Sequence, residues 1–441
     1  MEIPFHLKQR RLTDDAMRRQ RIAVIGAGAA GLSAAHYLRK KGYRRITILD
    51  RRPRVGGKCL TRVIDGRTYE LGALVVGRCY RRVRQLIRAA GLTTVSFDPI
   101  RLLDLHRPQR SLRADQQFFR CPAFCKGRLL SAYLRHSPRL MRPGFRGLEK
   151  TPLAGMTMDS WLRRRRLDPL RSALKPYYVS WGYGYLEEMN ALYVFKLLDL
   201  YVRALGRIHL HPRRDYPMGF LLEGYQRLWE RIATPFELQL GVDIRSVERM
   251  PNRHGRTMAR VAYDQTVRDF DALVIACPFD RARSFLDADP RERRLMKKVR
   301  TLDFYTLTAA VQGLPPDALV FVGNNLNASQ AGRVVSWYRR WSDSNITVFY
   351  LLGQADLTTD HCLVRLEQDL AGLGAVVRKI HAWDHWHYFP HVSTADMAAG
   401  FYADVERLQG FRQTWYAGEL MAFPTVEHVV AYSRRLVEEH F

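Results

Sequence analysis

The hydrophobic pattern near the start of the chain predicts a strand, a helix and a second strand. Four apolar residues at 22–25 predict a buried strand, and the apolar run 46–49 predicts the next one. Between them a helix is predicted from about Ala30 to Lys41, and Gly42 ends it. This order is typical of the opening unit of a parallel α/β sheet.

The pattern changes twice further along the chain. Residues from about 83 to 205 are predicted to be mostly helical, because apolar positions recur at intervals of three and four in 83–92 and 191–205. From roughly 245 to 390 strand-like runs dominate and predict a second sheet. The segment that opens at Thr425 predicts a final helix.

The turn between the first strand and the helix carries Gly26, Gly28 and Gly31 in G-x-G-x-x-G spacing. The first glycine allows a tight turn, the second lets backbone approach a pyrophosphate, and the third lets helix and strand pack closely. The helix N-terminus then faces the phosphates, and Asp50 is placed to accept a hydrogen bond from a ribose hydroxyl. The strand, helix and acid around the motif favour a dinucleotide site over a glycine-rich turn of an unrelated α/β protein.

A second pair of glycines follows Asp50. Gly56 and Gly57 let another stretch of backbone close on an extended cofactor, and Lys58 can neutralise a phosphate. NAD enzymes do not need this second clamp, so the pattern favours FAD. Together with 69–73 (YELGA), it resembles the FAD-binding opening of the flavin amine oxidase superfamily, where these segments line the pyrophosphate and the flavin. That superfamily usually has Glu where this chain has Asp50.

The same resemblance implies further cofactor-binding segments. Gly418-Glu419 would lie along the ribityl–pyrophosphate, and the helix after Thr425 would point its N-terminus at the flavin. Segments 242–244 and 271–278 would close on the adenine. The usual cysteine attachment motif is missing, so non-covalent FAD is predicted. The predicted cofactor-binding residues are Gly26, Gly28, Ala29, Ala30, Gly31, Asp50, Arg51, Gly57, Lys58, Leu71, Gly72, Ala73, Val242, Cys277, Gly418, Glu419, Thr425 and Val426.

Several segments resemble those of the bacterial polyenoic fatty acid isomerases, flavoenzymes of this superfamily that turn linoleic acid into a conjugated isomer. The more specific ones are 182–184 (GYG), 196–199 (KLLD) and 388–393 (YFPHVS). The resemblance implies that flavin N5 takes a hydride from the bis-allylic carbon of a polyunsaturated acid. The same hydride would return to a different carbon of the delocalised pentadienyl cation. This chemistry needs a dry apolar channel with ring faces that favour a cation, and a grip on the substrate carboxylate.

The resemblance also implies substrate-contacting residues. Arg101 matches the region where the isomerases hold the carboxylate; a surface arginine in an arginine-rich chain is the alternative. The isomerases have a phenylalanine beside that arginine, whereas 203–206 (RALG) has no aromatic, so chain-length preference or gating is expected to differ. The aromatic stretch 177–185 fits either a cavity wall or an ordinary core. The predicted catalytic residues are Arg101, Trp181, Tyr183, Tyr185, Tyr388 and Phe389.

The predicted fold class is α/β and α+β, with a discontinuous Rossmann-type FAD domain, a helical cap domain and a mixed-sheet substrate domain. The FAD domain is predicted to comprise 20–82, 207–285 and 396–441. The mostly helical cap/substrate domain is predicted at 83–206, and the substrate-domain sheet at 286–395. A chain of 441 residues is long for a single core, so two or three domains are expected.

Composition adds constraints on partners and location. The net charge is +28, but arginines are spread along the whole chain, which favours solvated surfaces in an arginine-biased composition. Attraction to an anionic membrane or substrate is the main alternative, and no nucleic acid is expected. The six cysteines lack metal-ligand spacing, so no metal is predicted. With no signal-peptide pattern or membrane-spanning run, a cytoplasmic location is predicted, with peripheral membrane contact as the alternative.

The leading hypothesis is an FAD-dependent double-bond isomerase acting on a free polyunsaturated fatty acid. The alternative is an oxidase or dehydrogenase of the same fold, acting on an amine or a natural-product intermediate, which would release peroxide or reduce an added acceptor. A non-catalytic basic protein that binds an anionic membrane or nucleic acid is a third hypothesis, which the cofactor motifs disfavour.

Overall fold

The structure is a computed structural model that describes residues 14–210, 218–252, 255–353 and 357–441. In this part of the chain the α-helices are α1 (Asp14–Arg19), α2 (Ala29–Lys41), α3 (Arg81–Ala89), α4 (Ala114–Arg120), α5 (Ala123–Leu140), α6 (Met158–Arg164), α7 (Pro169–Val179), α8 (Ala191–Leu210), α9 (Tyr225–Ala233), α10 (Pro290–Met296), α11 (Thr359–Ala371), α12 (Thr394–Ala398), α13 (Phe401–Glu406), α14 (Glu419–Ala422) and α15 (Val426–His440). The strands are β1 (Arg21–Ile25), β2 (Arg45–Asp50), β3 (Thr61–Ile64), β4 (Arg67–Glu70), β5 (Val76–Gly77), β6 (Thr94–Ser96), β7 (Arg101–Leu103), β8 (Leu112–Arg113), β9 (Met218–Leu221), β10 (Glu237–Leu240), β11 (Ile244–Pro251), β12 (Thr257–Tyr263), β13 (Thr266–Phe270), β14 (Ala272–Ile275), β15 (Arg300–Gln312), β16 (Leu319–Val322), β17 (Val334–Tyr338), β18 (Ile346–Gly353), β19 (Val376–His391) and β20 (Thr414–Tyr416).

The predicted strand–helix–strand unit forms the centre of a five-stranded parallel sheet, the cofactor sheet, in the order β10-β2-β1-β14-β20. The apolar run of β1 is buried on both faces, as expected for a central parallel strand. Helix α2 packs against this sheet and α15 packs against α2, where Ser433 donates a hydrogen bond of 3.1 Å to the Ala30 carbonyl. The sheet is assembled from three separated stretches of chain, which confirms the predicted discontinuous Rossmann-type architecture.

A second, mixed sheet, the large sheet, has seven strands in the order β19-β15-β18-β17-β16-β7-β8. Its neighbouring strands are antiparallel except for β16 and β7, which run parallel. Helix α11 covers the outer face, where Leu366 packs with Leu307 and Phe349. On the opposite, inner face Phe304 packs with Leu71 of the cofactor domain. The inner face is therefore the side on which substrate-domain residues meet the cofactor domain.

The helical prediction is wrong for the segment 94–113. This segment forms β6, β7 and β8, and β7 extends the large sheet by pairing Leu102 with Phe321 of β16. Local apolar spacing does not reveal this pairing because the partner strand is distant in sequence, and sheet packing overrides weak local propensity. The segments 83–92 and 191–205, whose periodicity carried the helical prediction, lie largely in α3 and α8.

A small antiparallel sheet, β11–β13, is joined to the cofactor sheet by a buried ion pair. The Arg249 guanidinium donates to both carboxylate oxygens of Glu292 on α10, at 2.7 and 2.6 Å, and both side chains are fully buried. Tyr416 of β20 donates to the same carboxylate, and Arg412 donates to the Arg249 carbonyl. This network holds β20 against elements that come much earlier in the chain.

The middle of the chain, between β8 and β9, is predominantly helical. After α7, Gly182 and Gly184 adopt φ angles of +80° and +85°, so the chain turns sharply before α8 begins. An ideal Cβ on Gly182 would lie 2.8 Å from the Phe304 ring, so glycine permits this close approach to the large sheet. None of the helices in the described ranges combines the length and the hydrophobicity needed to cross a lipid bilayer.

Candidate active site

The glycine turn after β1 forms a cradle around the start of α2. Gly26 has a φ of +115°, and an ideal Cβ on Gly31 would lie only 1.9 Å from the Gly26 carbonyl oxygen. The helix therefore touches the turn, and Ala29 and Ala30 form its first residues. Its N-cap is Gly28, which brings no side chain to the first N–H groups. Those amides can bind an anion, as predicted for a pyrophosphate.

Asp50 and the predicted adenine-closing residues surround this turn. The Asp50 carboxylate accepts a hydrogen bond of 2.7 Å from the Ala27 N–H, and further lone pairs can accept one from a ribose hydroxyl. The Val242 N–H donates to the Asp50 carbonyl at 3.2 Å. An ideal Cβ on Gly26 would lie 2.8 Å from the Cys277 nitrogen. Burial raises the pKa of the Cys277 thiol to about 12, so this cysteine stays protonated near neutral pH.

The second glycine pair, Gly56 and Gly57, packs against the glycine turn that follows β1. An ideal Cβ on Gly57 would lie 2.9 Å from the Gly28 Cα, so the two backbones approach as closely as glycine allows. The guanidiniums of Arg52 and Arg54 donate to the Gly57 carbonyl at 3.4 and 2.9 Å, whereas the predicted Arg51 is exposed. Sequence reasoning missed Arg52 and Arg54, although their place just before the glycine pair was a signal.

The predicted segment 71–73 closes over the second glycine pair and fastens it to the large sheet. The Ala73 N–H donates to the Lys58 carbonyl at 2.9 Å, and an ideal Cβ on Gly72 would lie 1.8 Å from the same oxygen. The Leu71 carbonyl accepts a hydrogen bond of 2.9 Å from the Trp386 indole of β19. Two domains that are separate in sequence therefore meet at this segment.

Glu70 directly precedes segment 71–73 and fixes its position through buried hydrogen bonds. Sequence reasoning left this residue out of the site. Its carboxylate accepts hydrogen bonds from the Tyr225 N–H at 2.8 Å and the Thr61 hydroxyl at 2.9 Å. The Arg340 guanidinium lies 3.5 Å away, and both side chains are buried. Burial raises the pKa of Glu70 to about 7. Its partners are protein groups, so its role is to position the neighbouring residues.

The C-terminal segment around residues 418–426 borders the predicted cofactor site on the side of Lys58. Gly418 has a φ of +136°, and a Cβ added there would meet no atom within 4 Å. The Lys58 ammonium lies 2.6 Å from the Glu419 carboxylate, which joins the second glycine loop to this wall. Thr425 caps the last helix by accepting a hydrogen bond from the N–H three residues later, and Val426 is the first helical residue.

These features fit an extended dinucleotide such as FAD. The cradle at Gly28 and Gly57 admits backbone at distances that a side chain would block, and the helix N-terminus beside it suits a pyrophosphate. Lys58 contributes positive charge, and the open space at Gly418 leaves room for the cofactor to continue. Close backbone contacts and hydrogen bonds thus join the first glycine turn, the second glycine pair and segment 71–73, and Lys58 links them to Glu419.

Replacing Lys58 with methionine is expected to weaken FAD binding by about tenfold, because a charge-assisted contact beside the cofactor is worth about 1.5 kcal/mol. The measurement is a fluorescence titration of apoprotein with FAD. Lys298→Met is the control, since Lys298 and Asp396 also pair at 2.6 Å with similar exposure. Equal FAD affinity in the two variants would show that Lys58 contributes nothing to binding.

Four aromatic residues form the aromatic cluster: Tyr183, Tyr388, Phe389 and Phe423. The Tyr183 ring centroid lies 5.9, 5.7 and 5.0 Å from those of the other three. The Lys58 ammonium lies 5.3 Å from the Tyr388 centroid. Phe389 and Phe423 have φ angles of +46° and +112°, which are costly for residues with a Cβ. Sequence reasoning missed Phe423.

The aromatic cluster continues as a stack into the large sheet. Phe304 stacks on Tyr388 with centroids 5.3 Å apart, and Tyr350 stacks on Phe304 at 5.8 Å. Burial raises the pKa of the Tyr183 and Tyr388 phenols well above their usual range, so both remain protonated near neutral pH. These rings therefore provide neutral aromatic surface instead of a side-chain base.

Trp181 and Tyr185 lie near this stack but outside the aromatic cluster. The Trp181 indole donates to the Tyr201 hydroxyl at 3.0 Å and meets Phe321 edge-on. Tyr185 is buried in the core beneath the inner face of the large sheet. The stretch 177–185 thus contributes both to an ordinary core and, through Tyr183, to the aromatic cluster.

Arg101 lies apart from the aromatic cluster. Its neighbour Leu102 packs on the inner face of the large sheet, so strand alternation directs Arg101 to the outer face. The guanidinium donates to the Ser111 hydroxyl at 2.8 Å and lies 3.5 Å from the Asp317 carboxylate. The side chains of 204–206, expected beside Arg101, lie outside the described residues.

Comparison with known proteins identifies both sequence and structural relatives. The model of the family "flavin containing amine oxidoreductase" matches residues 29–315. Prenylcysteine oxidase 1 of Pongo abelii is 41% identical over 76 residues, which are 17% of this chain and 15% of that protein. The aligned region therefore spans less than a sixth of that relative.

Solved structures match over nearly the whole chain. A CLA-producing fatty acid isomerase from P. acnes has a TM-score of 0.83 and 27% identity, covering 96% of this chain and 99% of its own. Wild-type putrescine oxidase bound to putrescine has a TM-score of 0.69 and 16% identity, covering 95% and 98%. The second likeness shows a shared fold, and the first adds sequence similarity along the same length.

Proposed function

Because this chain belongs to the flavin containing amine oxidoreductase family and is an FAD-dependent enzyme, we propose that it isomerises a polyunsaturated fatty acid, such as linoleic acid, to a conjugated product. The observation that carries the proposal is the similarity to the P. acnes fatty acid isomerase over 96% of the chain. The substrate, the double bond moved and the non-covalent state of the FAD are all parts of this proposal.

The aromatic cluster supports such a reaction. FAD, when bound, would supply a group that can accept a hydride and give it back. The rings of Tyr183 and Tyr388 offer faces that attract a cation, and the Lys58 ammonium already lies over one of them. Their buried phenols stay neutral, so they would exclude water and orient an acyl chain without removing a proton.

Replacing Tyr183 with leucine is expected to slow diene formation roughly tenfold, since a desolvated cation–ring contact is worth about 1–2 kcal/mol. Tyr183→Phe keeps the ring and should retain most of the rate. The initial rates of both variants are compared at equal flavin content. Thermal midpoints equal to that of the unaltered protein show that both variants fold. Equal rates of diene formation in Tyr183→Leu and Tyr183→Phe would show that the aromatic ring does not contribute to the reaction.

Arg101 remains the proposed ligand of the substrate carboxylate, but its guanidinium would have to leave Ser111 and Asp317 on the outer face of the large sheet to reach an acyl chain at the aromatic cluster. Arg101→Gln should then raise KM for linoleate by about 10- to 100-fold, because a charged hydrogen bond is worth about 1.5–3 kcal/mol. Methyl linoleate carries no charge and serves as the control substrate. If the variant changes KM for acid and ester alike, Arg101 does not bind the carboxylate.

The proposed function is tested by anaerobic incubation with linoleate, followed by ultraviolet absorbance of the conjugated diene. A rising diene signal with the flavin returning to its oxidised spectrum supports isomerisation. In deuterated water the product should carry no solvent deuterium, since the same hydride leaves and returns. A requirement for oxygen, or lasting flavin bleaching without diene, would instead support the alternative of an oxidase or dehydrogenase, the activity named for the prenylcysteine oxidase relative.

A further inference from the structure

A set of metal-ligand side chains lies on the outer face of the large sheet. Asp303, His385 and His387 each offer one ligand atom, and these atoms all lie within 4.8 Å of one another. We propose that these three residues bind one divalent transition-metal ion, with Zn²⁺ as the best chemical match. The lack of metal-ligand spacing among the cysteines, on which the prediction of no metal rests, does not bear on this site, which contains no cysteine.

The strand register builds this site. His385 and His387 are alternate residues of β19 and so share a face, and Asp303 of β15 pairs directly with His387. Trp386, between the two histidines, points to the inner face, where its indole donates to the Leu71 carbonyl. The proposed site therefore lies on the opposite side of the sheet from the aromatic cluster.

The distances are close to those of a metal centre. The Asp303 Oδ1 atom lies 2.6 Å from His385 Nε2 and 3.6 Å from His387 Nδ1. Zinc bonds of about 2.0–2.2 Å in a tetrahedron place ligand atoms roughly 3.3 Å apart. Small side-chain rotations therefore suffice, and Tyr305 stacks on His385 at 4.5 Å, which restrains that ring.

The donor set selects the ion. Two imidazoles and one carboxylate suit zinc with a water molecule as the fourth ligand, whereas Mg²⁺ and Ca²⁺ prefer oxygen atoms alone. Both histidines are exposed, so an ion can enter from solvent. A bound ion would link β15 to β19 near the register shift between Arg300 and Leu302. Its expected role is to stabilise the sheet, not to take part in the flavin reaction.

The test is calorimetric titration of the FAD-loaded protein with Zn²⁺ after treatment with a chelator. One ion per chain is expected, and His385→Ala and Asp303→Asn should each weaken binding by at least about tenfold. Zn²⁺ should also raise the thermal midpoint of the unaltered protein, because the ion binds only the folded state. His106→Ala, which removes an exposed histidine elsewhere, should bind like the unaltered protein.

Absence of saturable binding would overturn the proposal, as would an affinity that His385→Ala and Asp303→Asn leave unchanged. A comparable loss in His106→Ala would also overturn it, because binding would then be a general property of surface histidines. Flavin content and the metal-free thermal midpoint of each variant show that it folds, so weakened binding reports on the site itself.

Discussion

Alanine at position 31 is expected to abolish flavin binding during purification, so that the protein is colourless. An ideal Cβ there would lie 1.9 Å from the Gly26 carbonyl oxygen and 3.0 Å from a Val24 methyl group. Helix α2 must move away from β1, which takes its N-terminal amides away from the pyrophosphate position. A displacement of about 1 Å in a catalytic site can lower the reaction rate about 100-fold, and overpacking destabilises the fold by about 1–3 kcal/mol. The measurements are the ratio of flavin to protein absorbance and the thermal midpoint.

Gly127→Ala is the matched control for this substitution. Gly127 also lies within a helix, α5, but an added Cβ would meet no atom within 4 Å. Alanine there should leave flavin content unchanged and stabilise the protein by about 0.5–1 kcal/mol, because glycine is a poor helix former. A yellow Gly31→Ala protein with the flavin content of the unaltered enzyme would refute the role given to the glycine turn.

Replacing Glu292 with glutamine is expected to lower the free energy of unfolding by about 1–3 kcal/mol, because the buried Arg249 loses its charge-assisted hydrogen bonds to Glu292 and keeps the Asp287 carboxylate, at 2.7 Å, as counter-charge. The pair is bidentate, and neither side chain is exposed to solvent. The effect is measured by urea denaturation of the flavin-loaded protein. Asp269→Asn is the control, since the Arg260–Asp269 pair is partly exposed and its loss should lower the free energy of unfolding much less.

The same ion pair predicts a pH dependence. Burial alone would raise the pKa of Glu292, but its hydrogen bonds to Arg249 and the guanidinium charge outweigh burial and lower it. Its stabilising contribution is therefore present above the usual pKa of a glutamate and is lost as pH falls through the lowered value. The difference in free energy of unfolding between the unaltered protein and Glu292→Gln should therefore become smaller at acidic pH. A constant gap, or equal stability at neutral pH, would contradict this account.

The strand–turn–helix unit around the glycine motif could be predicted well because its determinants are local. Gly26, Gly28 and Gly31 lie within six residues, and their spacing alone specifies a strand, a turn and a helix. The identity of the arginines beside Gly57 could not be predicted with the same certainty. Adjacent residues of an irregular loop point in different directions, and the structure turns Arg52 and Arg54 inward while Arg51 is exposed.

The substrate side was less predictable because tertiary pairing decides it. The helical prediction for segment 94–113 rests on the periodicity of 83–92 and 191–205 and not on its own residues, and β7 is held by its partner β16. The face on which Arg101 lies follows from that register, which no local spacing encodes. Phe423 enters the aromatic cluster through an unusual backbone conformation, and its neighbours in sequence give no sign of it.

The late position of β20 in the cofactor sheet has a consequence for biosynthesis. The pyrophosphate cradle at residues 21–57 leaves the ribosome first, but β14 gains its neighbour β20 only after residues 414–416 have been made. At synthesis rates of about 5–20 residues per second, the interval between completion of β14 and synthesis of β20 is roughly 7–28 s. Throughout it the nascent chain presents an unpaired strand edge that invites misassociation. Cofactor loading is therefore expected to follow translation, with chaperones shielding that edge in the meantime.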